Sequence, residues 1–185
     1  MLSRHTLFAT LLLAAAPALA ADYVQAPGSA LVFAGTYEGE AFTGRFPGFV
    51  TRFSFDPAQL ATAKLDVTIP IATASTGNSD YDGEMRGSAF FNSSKFPQAH
   101  YTATRFRALG GNRYAADGTL DLRGISKPVT LDFTWAPGAK PVLTGKATVK
   151  RLEFGVGEGE WADTSMVAND VAVKFKLTLS GIAPL

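Results

Sequence analysis

Polar and apolar residues alternate with a period of two over most of the chain. In "VTLDFTW", Val129, Leu131, Phe133 and Trp135 fall on one side and Thr130, Asp132 and Thr134 on the other. "DVAVKFKLTLSG" sets Val171, Val173, Phe175, Leu177 and Leu179 against Ala172, Lys174, Lys176 and Thr178. "ATAKLDVTIPI" sets Ala61, Ala63, Leu65, Val67, Ile69 and Ile71 against Thr62, Lys64, Asp66, Thr68 and Pro70. Successive strand residues point to opposite faces, so each run predicts a strand with one dry and one wet face, as in antiparallel sheet.

About eight such runs occur, near 30–38, 41–56, 60–71, 98–109, 112–123, 127–136, 141–151 and 169–181. "YEGE", "LGGNR" and "APGAKP" join neighbours as hairpins. Within 41–56 the apolar parity flips at Pro47-Gly48, with Phe42 and Phe46 before it and Phe49, Phe53 and Phe55 after it. A bulge or corner there lets one long strand bend around a closing sheet. The pattern therefore predicts an all-β fold, an eight-stranded antiparallel barrel. Its interior has room for packed side chains or for one slender ligand.

Residues 72–97 and 152–168 break the alternation. Both are rich in Gly, Asp and Ser, yet they carry Met85, Phe90 and Phe91 in one and Phe154 and Trp161 in the other. Loops of this length in a compact domain cover or bind something. They are expected as short helical caps on the barrel. Ala61, Ala63, Gly145, Ala147 and Gly118 supply small inward positions opposite the aromatic ones, which suits a tunnel as much as a filled core.

Composition narrows the chemistry. A basic start with Arg4, an apolar run and Ala18-Leu19-Ala20 give residues 1–20 the features of a secretory signal peptide cleaved after Ala20. The remaining 21–185 is the size of one domain. Of the 17 Lys and Arg, Arg4 falls in the leader, leaving 16 against 16 Asp and Glu. No basic run stands out, so nucleic acid is not the expected partner. With no Cys, and His100 the one imidazole beyond the leader, thiol catalysis and Cys or multi-His metal sites are excluded. His100 also lacks a G-x-S-x-G companion. A periplasmic or secreted non-enzyme is expected.

Three motifs in order carry a resemblance. "DGEMRGSAFFNSSKFPQAHY" contains Asp82, Met85, Phe90-Phe91, Asn92 and Phe96-Pro97. "GTLDLRGISKPVTLDF" contains Gly118, Leu120, Leu122, Gly124, Ile125, Ser126, Pro128 and Val129. "RLEFGVGEGEW" and "NDVAVKFKL" contribute Arg151, Phe154, Gly155, Trp161, Asp170 and Val171. Together they resemble the YceI-like family. The resemblance implies an extended, lipocalin-like, eight-stranded barrel that encloses an isoprenoid amphiphile such as a quinone or a polyprenyl lipid, with no other cofactor. Met85 and Asn92 depart modestly from the family pattern. Tyr81 stands where a basic residue would be expected before Asp82, which favours a neutral headgroup. On this reading Phe33, Phe53, Leu65, Val67, Leu122, Phe133 and Phe175 line the barrel, and Met85, Phe91 and Trp161 stand at its mouth. Contact with a membrane or membrane protein, and pairing into homodimers, stay open. So does the alternative of a ligand-free scaffold or stress-related interaction protein with a filled core.

"NSDYDGE" places Asn78, Asp80, Asp82 and Gly83 at the first, third, fifth and sixth positions of a calcium loop, but the twelfth position is Ala89 rather than Glu. The pattern fits a helix start better, with Asp80 and Asp82 capping free N–H groups. Glu158 and Glu160 read as a solvated loop rather than a general acid/base pair.

Overall fold

The computed structural model describes residues 21–181, and the expected leader lies outside them. Ten strands form one sheet: β1 (Ala21–Gln25), β2 (Ala30–Tyr37), β3 (Glu40–Arg45), β4 (Val50–Phe55), β5 (Lys64–Pro70), β6 (Gln98–Gly110), β7 (Arg113–Leu122), β8 (Ile125–Ala136), β9 (Val142–Lys150) and β10 (Asp170–Gly181). The order β1-β4-β5-β6-β7-β8-β9-β10 closes on itself because β1 also pairs with β10, which makes an eight-stranded antiparallel barrel. Among the described residues one helix, α1 (Ser79–Arg86), and the 3-10 turns Ile71–Thr73, Arg151–Phe154 and Gly159–Ala162 follow strand ends on one side of the barrel, while the turn Leu60–Thr62 lies at the other end.

The hairpin β2–β3 extends two lanes of this barrel. β10 pairs with β2 along Ala172–Lys176 and with β1 along Leu179–Gly181, so β1 and β2 share one lane. β3 and β4 share the next lane, bent at the expected corner, where Gly48 has φ +79°. A matching corner at Pro27-Gly28, with Gly28 at φ +91°, separates β1 from β2. Five residues of "ADYVQ" are too few to show a period, and β1 was not expected.

Two further differences are local. The run expected to start at 60 starts at Lys64, because Leu60–Thr62 form a 3-10 turn and Ala61 is exposed there. In β6 the register shifts between Ala103 and Arg105, so Ala99, Tyr101 and Ala103 face inward and then Phe106 does. This is a β-bulge, and it re-aims the strand at the far end of the barrel.

The inward glycines are slots for rings rather than bare tunnel wall, while Ala147 does line the open space. Gly145 pairs with Phe175 and Gly44 with Phe33. A Cβ on Gly44 would stand 2.2 Å from the Phe33 ring, and one on Gly118 would stand 2.5 Å from the Tyr101 ring. Glycine thus lets each ring lie flat on the neighbouring strand and lean less into the interior.

The barrel is filled unequally. At the end away from α1, Phe53, Phe55, Phe106, Tyr114, Phe133 and Trp135 interlock, with centroid separations of 5.0 to 6.3 Å. Edge-to-face pairs of this kind add stability beyond the area they bury. They form a solid plug. Towards α1 the rings give way to aliphatic side chains and open space.

Candidate functional site

The open half holds a cavity of about 190 Å³, and every atom exposed to it is apolar. Its wall comes from most of the barrel: Leu31 and Phe33 on β2, Leu65, Val67 and Ile69 on β5, Leu120 and Leu122 on β7, Val129 and Leu131 on β8, Ala147 and Val149 on β9, and Val171, Val173, Phe175 and Leu177 on β10. On β10 the lining spans six residues of rise, roughly 20 Å along the strand. Met85, Phe90 and Phe91 close the top, with Phe42 and Phe46 beside them.

Of the expected lining, Phe33, Leu65, Val67, Leu122 and Phe175 face this cavity, and so do Met85 and Phe91. Phe53 and Phe133 do not; both belong to the plug, where they meet at 6.1 Å. Alternation marks a residue as inward but not how far along the axis it lies, and these two lie past the point where the rings close the interior. Trp161 stands further out. It borders a second, smaller cavity of about 110 Å³ with Tyr37, Tyr81, Glu84 and Phe90. Phe42, Met85, Phe90 and Val167 border both spaces, so these four side chains stand between the large cavity and the small one, a vestibule outside it.

Polar side chains, some buried and some exposed, hold the lid in place. Asn78 is the cap of α1, its Oδ1 accepting from the N–H groups of Asp80, at 2.9 Å, and Tyr81, at 3.3 Å. Asp82 does not cap its own helix as expected. It accepts from the N–H of Thr76, at 2.6 Å, and from its hydroxyl, at 2.8 Å, tying the preceding loop to the helix. These bonds, the Thr76 N–H first, hold its carboxyl below the usual carboxylate range. The side-chain oxygens of Asn78 and Asp82 are thus spent on local N–H and O–H groups. The lid's hydrophobic side packs Met85 with Ala74 and Phe33.

Arg151 anchors the second cap. Its guanidinium is buried and donates to five backbone carbonyls, those of Ala168, Val156, Gly157, Trp161 and Val167, at 2.7 to 3.2 Å. Among the described residues no carboxylate pairs with it; carbonyl dipoles take up the charge, and desolvation pulls its pKa down. Arg123, in the β7–β8 turn at φ +56°, links the caps by donating to the carbonyls of Ser88 and Gly155 and to Glu158, whose carboxylate lies 2.8 Å away. Glu158 is therefore the exposed partner of an ion pair. Neither arginine was singled out as a lid anchor, since nothing in sequence marks a side chain that reaches backbone carbonyls.

Tyr101 is the polar group nearest the cavity floor. Its hydroxyl lies 3.0 Å from the carbonyls of Ala116 and Val129, and burial pushes its pKa up, so it is a neutral donor. The Thr51 hydroxyl is buried beside the same space with no protein partner. His100 is exposed on β6, with Nδ1 3.3 Å from the Thr68 hydroxyl and away from the cavity.

Known proteins share this architecture. The model of the YceI-like domain matches residues 23–179. The UPF0312 protein of Shewanella baltica (strain OS185) is 30% identical over 175 residues, 88% of this chain and 91% of its own length. Protein YceI of Escherichia coli O157:H7 is 33% identical over 161 residues, 80% of this chain and 83% of its own. Among solved structures, Burkholderia cenocepacia BcnA superposes with a TM-score of 0.78 at 33% identity, covering 80% of this chain and 94% of that one. A polyisoprenoid binding domain from Saccharophagus degradans, implicated in plant cell wall breakdown, shares the fold with a TM-score of 0.66 at 17% identity, over 88% and 99% of the two chains.

Proposed function

The chain belongs to the YceI-like domain family, and we propose that it binds an isoprenoid-chain lipid in the apolar cavity and carries it through the periplasm without chemical change. The observation that carries this reading is a tunnel along the barrel axis whose exposed atoms are all apolar. Water gains little in such a space, whereas a hydrocarbon chain gains about 0.8 kcal/mol for each CH₂ it buries. Each five-carbon isoprene unit thus contributes a few kcal/mol before ordering costs, so a few units bring micromolar binding without any catalytic group.

Other features support the same reading. The Saccharophagus degradans relative in fold is described as a polyisoprenoid binding domain. No Lys or Arg occurs from Ser75 to Met85 or from Glu153 to Val167, two of the segments that border the vestibule, and this favours an uncharged headgroup such as a quinone over a polyprenyl phosphate. The basic start, apolar run and Ala18-Leu19-Ala20 of residues 1–20 support export to the periplasm.

The test is organic extraction of the natively purified protein, followed by mass spectrometry. A stoichiometric isoprenoid quinone or polyprenol is the expected result. Recovery of nothing, with added isoprenoids failing to bind, would mean that the barrel serves as a scaffold.

A further inference from the structure

The vestibule has a composition that a simple entrance for hydrocarbon does not need. Tyr37, Tyr81, Phe90 and Trp161 surround it, with centroid separations of 6.2 Å for Tyr37–Tyr81, 6.3 Å for Tyr37–Trp161 and 5.3 Å for Phe90–Trp161. None of these pairs stacks; the planes meet at 75°, 49° and 57°. The rings touch edge-on or tilted, as most of the plug's do, and together they line a box of about 110 Å³. Glu84 completes the wall, and among the described residues its carboxylate has neither an ion-pair partner nor a side-chain hydrogen bond.

The charge next to these rings in sequence is acidic, while the Arg151 guanidinium behind the wall is held by backbone carbonyls, those of Trp161 and Val167 among them. Glu38 and Glu40 sit in the turn and strand beside Tyr37, Asp80 lies next to Tyr81, and Glu160 and Asp163 flank Trp161. The cation nearest in sequence, Arg86, is turned away, its guanidinium donating to the carbonyls of Ala72 and Ala74. Aromatic faces carry negative potential, and a cation within about 6 Å of a ring centroid is attracted to it. Several ring faces and a free carboxylate, with Arg86 and Arg151 both engaged by backbone carbonyls, together favour an ammonium group over a phosphate.

We propose that the vestibule is a binding site for the cationic head of an amphiphile, a quaternary or protonated amine, whose hydrocarbon chain enters the tunnel. Cationic amphiphiles are then a second ligand class beside the isoprenoid lipid, and this rests on the tunnel admitting a chain as proposed above. The box supplies selectivity by charge, and the tunnel supplies the bulk of the affinity.

Three probes with one chain separate these contributions: dodecyltrimethylammonium, dodecanol and dodecyl phosphate, each titrated below its micellar concentration. In low salt the ammonium is expected to bind at least about tenfold more tightly than the alcohol, and the phosphate more weakly than the alcohol. Raising the salt should narrow this order, because the rim charges are exposed. Glu84→Gln, an exposed change that leaves the lid contacts in place, and Trp161→Leu should each cut the ammonium-to-alcohol ratio several-fold. Equal binding of ammonium and alcohol, a ratio that neither variant changes, or tighter phosphate binding overturns the cationic site and leaves the tunnel standing. Failure of all three probes overturns both.

Discussion

Phe175 lies flat over Gly145, its partner across the β9–β10 pair. A Cβ on Gly145 would stand 2.3 Å from the Phe175 ring and 2.5 Å from the backbone oxygen of Asp132. The ring can swing aside, but the backbone oxygen cannot. Because Phe175 lines the cavity, its displacement would go into the tunnel. Gly145→Ala is expected to destabilise the fold by about 1–3 kcal/mol and to weaken binding of any chain-like ligand. Urea unfolding and a ligand titration on the same variant check both parts.

Arg151 should be irreplaceable by lysine. Five carbonyls converge on a planar fork of donors, and an ammonium with three donors on a flexible stem cannot reach them all. Arg151→Lys leaves buried carbonyls unpaired and is expected to cost about 3 kcal/mol. Hydrogen exchange should show the loss concentrated in residues 156–168, with the plug end of the barrel still protected.

Thr51 gives the opposite expectation. Its hydroxyl is buried without a partner, and an orphan of this kind costs about 1–3 kcal/mol. Thr51→Val keeps the shape and removes the hydroxyl, so the ligand-free protein should gain about 1 kcal/mol in urea unfolding.

The barrel's acid response should depend partly on Asp117. Hydrogen bonding to Arg107, 2.8 Å away, pulls its carboxyl from 3.8 to about 2. A carboxyl depressed in the folded state adds stability that is complete above 3.8 and is lost as pH falls towards 2. Asp117→Asn should therefore be slightly less stable than the parent at pH 7, and the gap should close as pH falls to about 2. Both side chains are partly exposed, so the gap is small and shrinks further in high salt.

The fold was legible because its information is local. Alternation along Val129–Trp135 and Val171–Leu179, and the parity flip at Pro47-Gly48, each follow from the two-residue period of a strand. The bulge after Ala103 escaped notice because nothing in "YTATRFRALG" signals which residue is skipped. The site was legible only in part. Inward positions could be read, but Phe53 and Phe133 were not separated from Phe33 and Phe175, since depth along the barrel depends on strand stagger. Gly118 and Gly145 read as open wall because the rings that cover them come from other strands. The lid anchors Arg123 and Arg151 depend on carbonyls far away in the chain or exposed by a turn, which no spacing rule reaches.

The most direct measurement is the affinity of neutral polyprenyl alcohols of increasing length for the parent protein and for Ala147→Phe. Ala147 lines the cavity, so a ring placed there fills the tunnel while the plug and lid anchors stay untouched. In the parent, affinity should climb with each isoprene unit until the roughly 20 Å of lined strand is occupied, and then level off. Ala147→Phe should fold and lose that climb. Binding that is equal in the two proteins, or that does not depend on chain length, would contradict a tunnel that holds its ligand by the chain.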